Sequence, residues 1–251
     1  MLERILPPRV AAVEAFGHVP GATLFPEEAV VVARAVSQRR AEFASARACA
    51  RAALVRLGEP PVPILRGARG APRWPVGLTG SITHCDGYCA AAVARTADVA
   101  TLGLDAEPNE ALPDGVYDMI ALASEQARIA GLATAGSHAG PSVCWDRLLF
   151  CAKEAVYKAW FPVAQRWLDF HEADITIGTA ALDAEHGTFS ARLLVPGPLV
   201  AGSPLTELRG RWLAARGLLL TSIVVPARPP VSRGRARARS AVTERRLPPV
   251  G

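Results

Sequence analysis

The spacing of apolar and polar positions predicts helices interleaved with short strands. Residues 25–57 read as helix: Pro26 suits a first helical position, Glu27 and Glu28 put acids in the first turn, and alanine-rich apolar positions recur up to Gly58. An EPPVP break follows, then a glycine- and proline-rich loop over 67–80. Residues 80–94 predict two strands, GSITHC and YCAAAVA, around an Asp86-Gly87 turn. Residues 99–106, VATLGLDA, read as a further strand stopped by Pro108. A helix is expected over 113–131 and a loop over 133–141. The strongest helical pattern spans 143–161 and is expected to end at Pro162. Strands at 173–177 and 188–195, glycine/proline turns and last strands within 211–226 complete the body.

A helix with antiparallel sheet is thus spelled out twice. The expectation is an α+β chain of two halves joined at 108–113: an N-terminal half, 1–108, and a C-terminal half, 109–226. Residues 227–251 hold almost no large apolar side chains and are expected to be a disordered tail.

Composition changes this picture at a few points. Of 251 residues, 50% are hydrophobic and 20% charged, enough to bury a core. The first residues show no basic segment followed by an apolar one. The apolar stretch at 212–225 is broken by Arg216 and Gly217, too short and too polar for a membrane span. A cytoplasmic protein is expected. The five cysteines form no CxxC pair and no zinc spacing, which points to reduced thiols. The net charge of +5 belongs to the tail, whose seven arginines and one glutamate leave the body at −1. Overall charge is therefore no argument for nucleic-acid binding. Of the 28 basic residues only Lys153 and Lys158 are lysines, and they sit five positions apart. A compact ammonium is a different instrument from a planar guanidinium.

Asp105 and Glu107, in LGLDAEP, are two apart on the predicted strand and so share a face at its end. Such a pair calls for a cation between its members, and Mg²⁺ commonly takes one or two carboxylates plus substrate phosphates. Alone, the pair also fits two solvated acids. Glu154 and Lys158 are one turn apart on the strongest helix, and Lys153 sits on a neighbouring face from which it could reach a phosphate. Alone, Glu154 and Lys158 also fit a surface ion pair. Thr83-His84 follows a loop carrying Arg66, Arg69 and Arg73, and Arg47 and Arg51 lie one turn apart upstream. These groups offer donors to anionic oxygens. Together they describe a site for a metal-bound polyphosphate. No P-loop, GxGxxG after a strand, GxSxG or HExxH is present.

The order Ser81-Ile-Thr83-His84-Cys, Gly103-Leu-Asp105-Ala-Glu107-Pro108, Lys153-Glu154-Ala-Val-Tyr-Lys158-Ala-Trp160-Phe-Pro resembles the 4′-phosphopantetheinyl transferase superfamily. The match is to the surfactin- and enterobactin-synthetase-associated type in its actinobacterial form, and it runs from about residue 39 to 226. Thr83 stands where many relatives carry serine. The resemblance implies that fold, in two pseudo-symmetric halves packed as a monomer. It implies transfer of the phosphopantetheine arm of coenzyme A to a serine of an acyl or peptidyl carrier protein, with release of adenosine 3′,5′-bisphosphate. Asp105, Glu107 and Glu154 would hold Mg²⁺ (or Mn²⁺), and Lys158 would meet a phosphate. Thr83 and His84 would bind the CoA phosphates, and Arg47 the 3′-phosphate, helped by Arg51 and by Arg69 or Arg73. Glu154 would be the base, with Glu125 second. The carrier surface is expected on the helix after Pro113 and on 133–143. Two other readings stay open. One is a Mg²⁺-dependent pyrophosphate hydrolase with water as acceptor. The other is a nucleic-acid binder working through the tail.

Overall fold

A computed structural model of the chain describes residues 1–135, 143–179 and 185–227. The tail expected at 227–251 lies, but for Ala227, outside the described residues. So does most of the loop expected at 133–141.

The architecture is α+β, as the pattern predicted. In the first half, strand β1 (Ala11–Phe16) leads to the short helix α1 (Pro26–Val31) and the twenty-residue helix α2 (Ser37–Arg56). The hairpin β2 (Leu78–Cys85) and β3 (Tyr88–Arg95) follows. These strands form an antiparallel sheet ordered β1-β3-β2, and α2 lies on it. Strand β4 (Val99–Pro108) leads on to α3 (Val116–Ile120), α4 (Ala123–Ala135) and the twenty-residue α5 (Trp145–Ala164). Strands β5 (Ala173–Thr179) and β6 (His186–Leu193), the two-residue strands β7 (Leu199–Val200) and β8 (Ser203–Pro204), and the hairpin β9 (Glu207–Ala215) and β10 (Leu218–Pro226) complete the body. The second sheet is ordered β4-β10-β9-β6-β5, all antiparallel, with α5 across it. Both halves therefore repeat one plan, a long helix laid on an antiparallel sheet.

The seam differs from the one expected at 108–113. β4 pairs along its length with β10, so by hydrogen bonding it belongs to the second sheet, and the division falls between Arg95 and Val99. The expected single helix at 25–57 is broken at 32–36. In the first turn of α1, ahead of the break, Glu28 turns inward, accepts hydrogen bonds from the backbone N–H groups of Phe25 and Ile64, and pairs with Arg51. α5 runs past Pro162 to Ala164, because the proline forfeits only one bond in a final turn that Gln165 closes in a left-handed conformation. β1 escaped notice because AAVEAF has neither β-branched enrichment nor a clean alternation.

The two sheets meet where β2 runs beside β4 without a backbone ladder. Two β4 amides turned away from β10 are taken instead by side chains of β2. Ser81 Oγ accepts from the Leu104 N–H, and Thr83 Oγ1 from the Ala106 N–H, each at 3.0 Å. Alternation then gives β4 two distinct faces. Leu102, Leu104 and Ala106 pack into a core with the N-terminal residues Leu2, Ile5 and Leu6. Thr101, Gly103 and Asp105 face α5, where Thr101 Oγ1 donates to the Ala159 carbonyl at 2.6 Å. Behind α5 lies the largest core, built around Trp160, Trp212, Leu148 and Leu208.

Lys153 is not where the sequence pattern had it reaching for a phosphate. Its ammonium is buried, 2.9 Å from Glu125, and donates to the carbonyls of Phe170 and Ala173. Burial pushes its pKa down, against the pull of Glu125. Glu125 is equally withdrawn. Fully buried, it accepts from the N–H groups of Leu122 and Ile175 and from Lys153, tying α4 to α5 and β5, and it does not face a cleft as a base must.

Two stability outcomes follow. A Cβ on Gly103 would stand 2.1 Å from the Ala155 carbonyl oxygen, so Gly103→Ala is expected to lose about 3 kcal/mol in urea denaturation, the upper end of overpacking costs. A loss below about 1 kcal/mol would show that α5 can lift off β4. Lys153→Met strands a buried carboxylate and should cost about 3–5 kcal/mol, while the double variant with Glu125→Gln should recover part of that loss in the same experiment.

Candidate active site

β4 ends at the seam between the halves, and its last inward-facing carboxylates meet one flank of α5. Arg147, Glu154 and Lys158 recur at helical spacing along that flank. Lys158 Nζ lies 2.7 Å from Asp105 Oδ1 and 3.5 Å from Thr83 Oγ1, and the Thr83 hydroxyl donates to the same Asp105 oxygen at 3.1 Å. Asp105 is 4% exposed, and its Oδ2 is buried with no hydrogen-bond partner. Glu107 Oε2 accepts from Arg147 at 3.0 Å.

The electrostatics are those of a crowded anionic centre. Burial first, and then Asp105, push the Glu154 carboxyl above the ordinary range, against Lys158. Glu107 is pushed up by the same two influences, against Arg147. Burial works against the charge on Lys158, but Asp105 and Glu154 outweigh it and hold the ammonium above its usual value.

A hard divalent cation fits these residues. The donors are all carboxylate oxygens, they disfavour one another's charge, and one buried oxygen has no partner. Among the described residues no three His, Cys, Asp or Glu side chains are gathered into a finished cage. A cation held by Asp105 and Glu154, with Glu107 beside them, would take its remaining oxygens from another molecule, the habit of Mg²⁺ bound with phosphates.

Two cavities open beside this centre. A cleft of about 580 Å³ is bounded by the loop from Gly67 to Trp74, by β2, and by Glu154, Tyr157 and Lys158. A smaller one, about 300 Å³, is lined by Arg39, Arg47, Arg66 and His84, with Glu42 the one acid on its wall. Gly70, Pro72 and Ile82 line both, so the cavities are neighbours. Arg47 is held for its position: Nε donates to the Ile64 carbonyl at 2.7 Å, and the guanidinium stacks 4.1 Å from the Phe43 ring centroid. Burial, with Arg66, Arg51 and Arg39 nearby and Glu28 opposing, lowers its pKa to about 10. Burial, then Arg39 and Lys158, lower the pKa of His84, whose Nε2 meets Arg39.

Of the residues singled out in the sequence, Asp105, Glu154, Lys158 and Thr83 come together with Glu107 at the seam. Arg47 and His84 line the small cavity, and Arg69 and Arg73 the large one. Lys153 and Arg51 are placed otherwise, and Thr83, though at the seam, takes another role. Lys153 is buried with Glu125. Arg51 is spent on Glu28 at 2.8 Å and on the Thr23 carbonyl, and it lines neither cavity. Thr83 is 2% exposed and gives its proton to Asp105, so it steadies the carboxylate rather than offering a donor to a phosphate. Arg39, Phe43 and Arg147 were missed as site residues, while Arg66 belongs to the arginine loop already singled out. Arg39 had no local signal beyond one more arginine in an arginine-rich chain. Arg147, two turns before Glu154 on the same helix, could have been found from its spacing.

Comparison with known proteins places both halves of the chain in one family. Residues 26–94 match the 4′-phosphopantetheinyl transferase N-terminal domain, and residues 101–192 match the 4′-phosphopantetheinyl transferase superfamily. The chain is 54% identical over 230 residues to the 4′-phosphopantetheinyl transferase Svp of Streptomyces mobaraensis, covering 90% of each chain. It is 50% identical over 216 residues to PptT of Mycobacterium tuberculosis, covering 86% of this chain and 92% of that one. To Npt of Nocardia iowensis it is 48% identical over 226 residues, covering 89% and 99%. With both halves matched and the likeness continuous across the seam, the chain belongs to the 4′-phosphopantetheinyl transferase superfamily and is a transferase.

Proposed function

We propose that this enzyme transfers the 4′-phosphopantetheine arm of coenzyme A to a serine hydroxyl of an acyl or peptidyl carrier protein, with Mg²⁺ bound, releasing adenosine 3′,5′-bisphosphate. The observation that carries this reading is the pairing of a carboxylate centre containing an unpartnered buried oxygen with an adjoining arginine-lined cavity. The first suits a metal-bound pyrophosphate. The second suits a further phosphate on the same ligand.

In this reading the small cavity takes the adenosine 3′-phosphate, with Arg47 fixed by Ile64 and Phe43 and with Arg39 and Arg66 adding charge. His84, kept neutral by burial and its cationic neighbours, donates one N–H to a phosphate oxygen and adds no charge of its own. Arg69 and Arg73 guard the larger cleft. Asp105, Glu154 and Glu107 would hold Mg²⁺, which when bound offsets the charge of the pyrophosphate. Lys158, protonated throughout because of Asp105 and Glu154, stabilises charge on the departing bisphosphate. Glu154 takes the serine proton as the new P–O bond forms and the pyrophosphate bridge breaks. The carrier approaches over α3 and α4, where Met119 is 66% exposed. The protein acts as a cytoplasmic monomer, with both walls of the cleft from one chain.

Incubating the protein with CoA, Mg²⁺ and an apo carrier protein should add one phosphopantetheine to the carrier by intact mass. Asp105→Ala and Glu154→Ala should each slow this by at least about 10²-fold. Unimpaired transfer by either variant would overturn the site. CoA cleavage at equal rate without any carrier would point to hydrolysis instead. An NMR titration of His84 should show a pKa below that of free imidazole, moving up in Arg39→Gln. Titration at or above the ordinary value would sink the neutral-donor role.

A further inference from the structure

We propose that Arg147 decides which divalent ion the centre accepts, by keeping one oxygen of Glu107 out of the metal's reach. The inference rests on the metal reading above. All three nitrogens of the Arg147 guanidinium are engaged: Nη1 donates to Glu107 Oε2 at 3.0 Å, Nε to the Glu110 carbonyl at 3.0 Å, and Nη2 to the Ala111 carbonyl at 2.8 Å. All three acceptors lie on the exit of β4. Two further bonds staple the same stretch to the start of α5. Asp146 Oδ2 accepts from the Leu112 N–H at 2.8 Å, and Asn109 Oδ1 from the Cys144 N–H at 2.9 Å. Both partners of the Arg147–Glu107 pair are mostly shielded, at 16% and 18% exposure.

This is unlike a loose surface ion pair. Two backbone carbonyls fix the guanidinium plane, so the cation cannot swing with the carboxylate, and Oε2 stays engaged. A carboxylate with one oxygen committed offers a metal the other oxygen alone. That restriction discriminates between ions. Mg²⁺ takes single oxygens at about 2.0–2.1 Å in a strict octahedron, whereas Ca²⁺ takes six to eight oxygens at about 2.3–2.6 Å and readily grips a carboxylate by both. Arg147 thus denies the larger ion its preferred grip and costs the smaller one nothing. It is a positioning residue, acting through Glu107.

The test is competition for bound Mn²⁺, read by electron paramagnetic resonance on the full chain with CoA present, using Mg²⁺ and Ca²⁺ as competitors. In Arg147→Met the Ca²⁺-to-Mg²⁺ competition ratio should rise about tenfold, the lower end of what removing a group that orients a metal ligand does. Arg147→Lys keeps a cation but not the three-point fork, and should rise by less. Asp146→Ala, which loosens the same exit without touching Glu107, should lower the melting temperature and leave the ratio unchanged. An unchanged ratio in both Arg147 variants, with melting lowered, would make Arg147 purely structural and overturn the inference. If Arg147→Met does not fold, the lysine variant decides. If the wild-type chain binds Mn²⁺ no better than Asp105→Ala, the metal reading falls and this inference with it.

Discussion

The closeness of α5 to β4 is the constraint from which the site follows. Gly103 has no side chain, and an added carbon would meet the Ala155 carbonyl. Its neighbours on that face are Thr101, whose hydroxyl caps the Ala159 carbonyl, and Asp105. On the helix, Cys151, Ala155 and Ala159 recur every four residues and are fully buried. Small side chains on both surfaces bring backbone near backbone. Only at that spacing does a lysine of α5 close on Asp105 at 2.7 Å while Glu154, one turn earlier, feels the same charge. A bulkier interface would hold the same residues too far apart to act together.

Asp105 is the hub of what results. It accepts from Lys158 and Thr83 through one oxygen and keeps the other unpartnered in a buried setting. An unsatisfied buried carboxylate oxygen costs free energy, and folds retain such costs where function needs them. Thr83 couples that hub to the other half. Its oxygen accepts from the Ala106 amide while its proton goes to Asp105, so the hydroxyl that joins the sheets also fixes the carboxylate.

Much of this could be read from sequence because it depends on local periodicity. The Asp105–Glu107 alternation, the Glu154–Lys158 turn and the Asp-Gly hairpin are short-range patterns, and each appears where expected. What was misread depends on contacts between distant segments. Lys153 and Lys158 are the same residue type on one helix, but Phe170, Ala173 and Glu125 enclose the first of them. Arg51 looked like a partner of Arg47 until Glu28, 23 residues earlier, claimed it. The place of β4 in the second sheet depends on β10, which no pattern near Pro108 could reveal. Thr83 read as a ligand donor because its acceptor comes from the other sheet.

The near-absence of lysine has a consequence for chemistry done on this protein. Both ε-amines of the chain lie on α5, and one of them is sealed in an ion pair at 2% exposure. Lys158, at 27%, is the more exposed of the two, and it sits beside Asp105 and Glu154. Acylation needs the free amine, so the more exposed ε-amine is also the one that its carboxylate neighbours keep charged, and the folded chain resists ε-amine reagents. An arginine-for-lysine composition makes the rest of the surface silent to that chemistry.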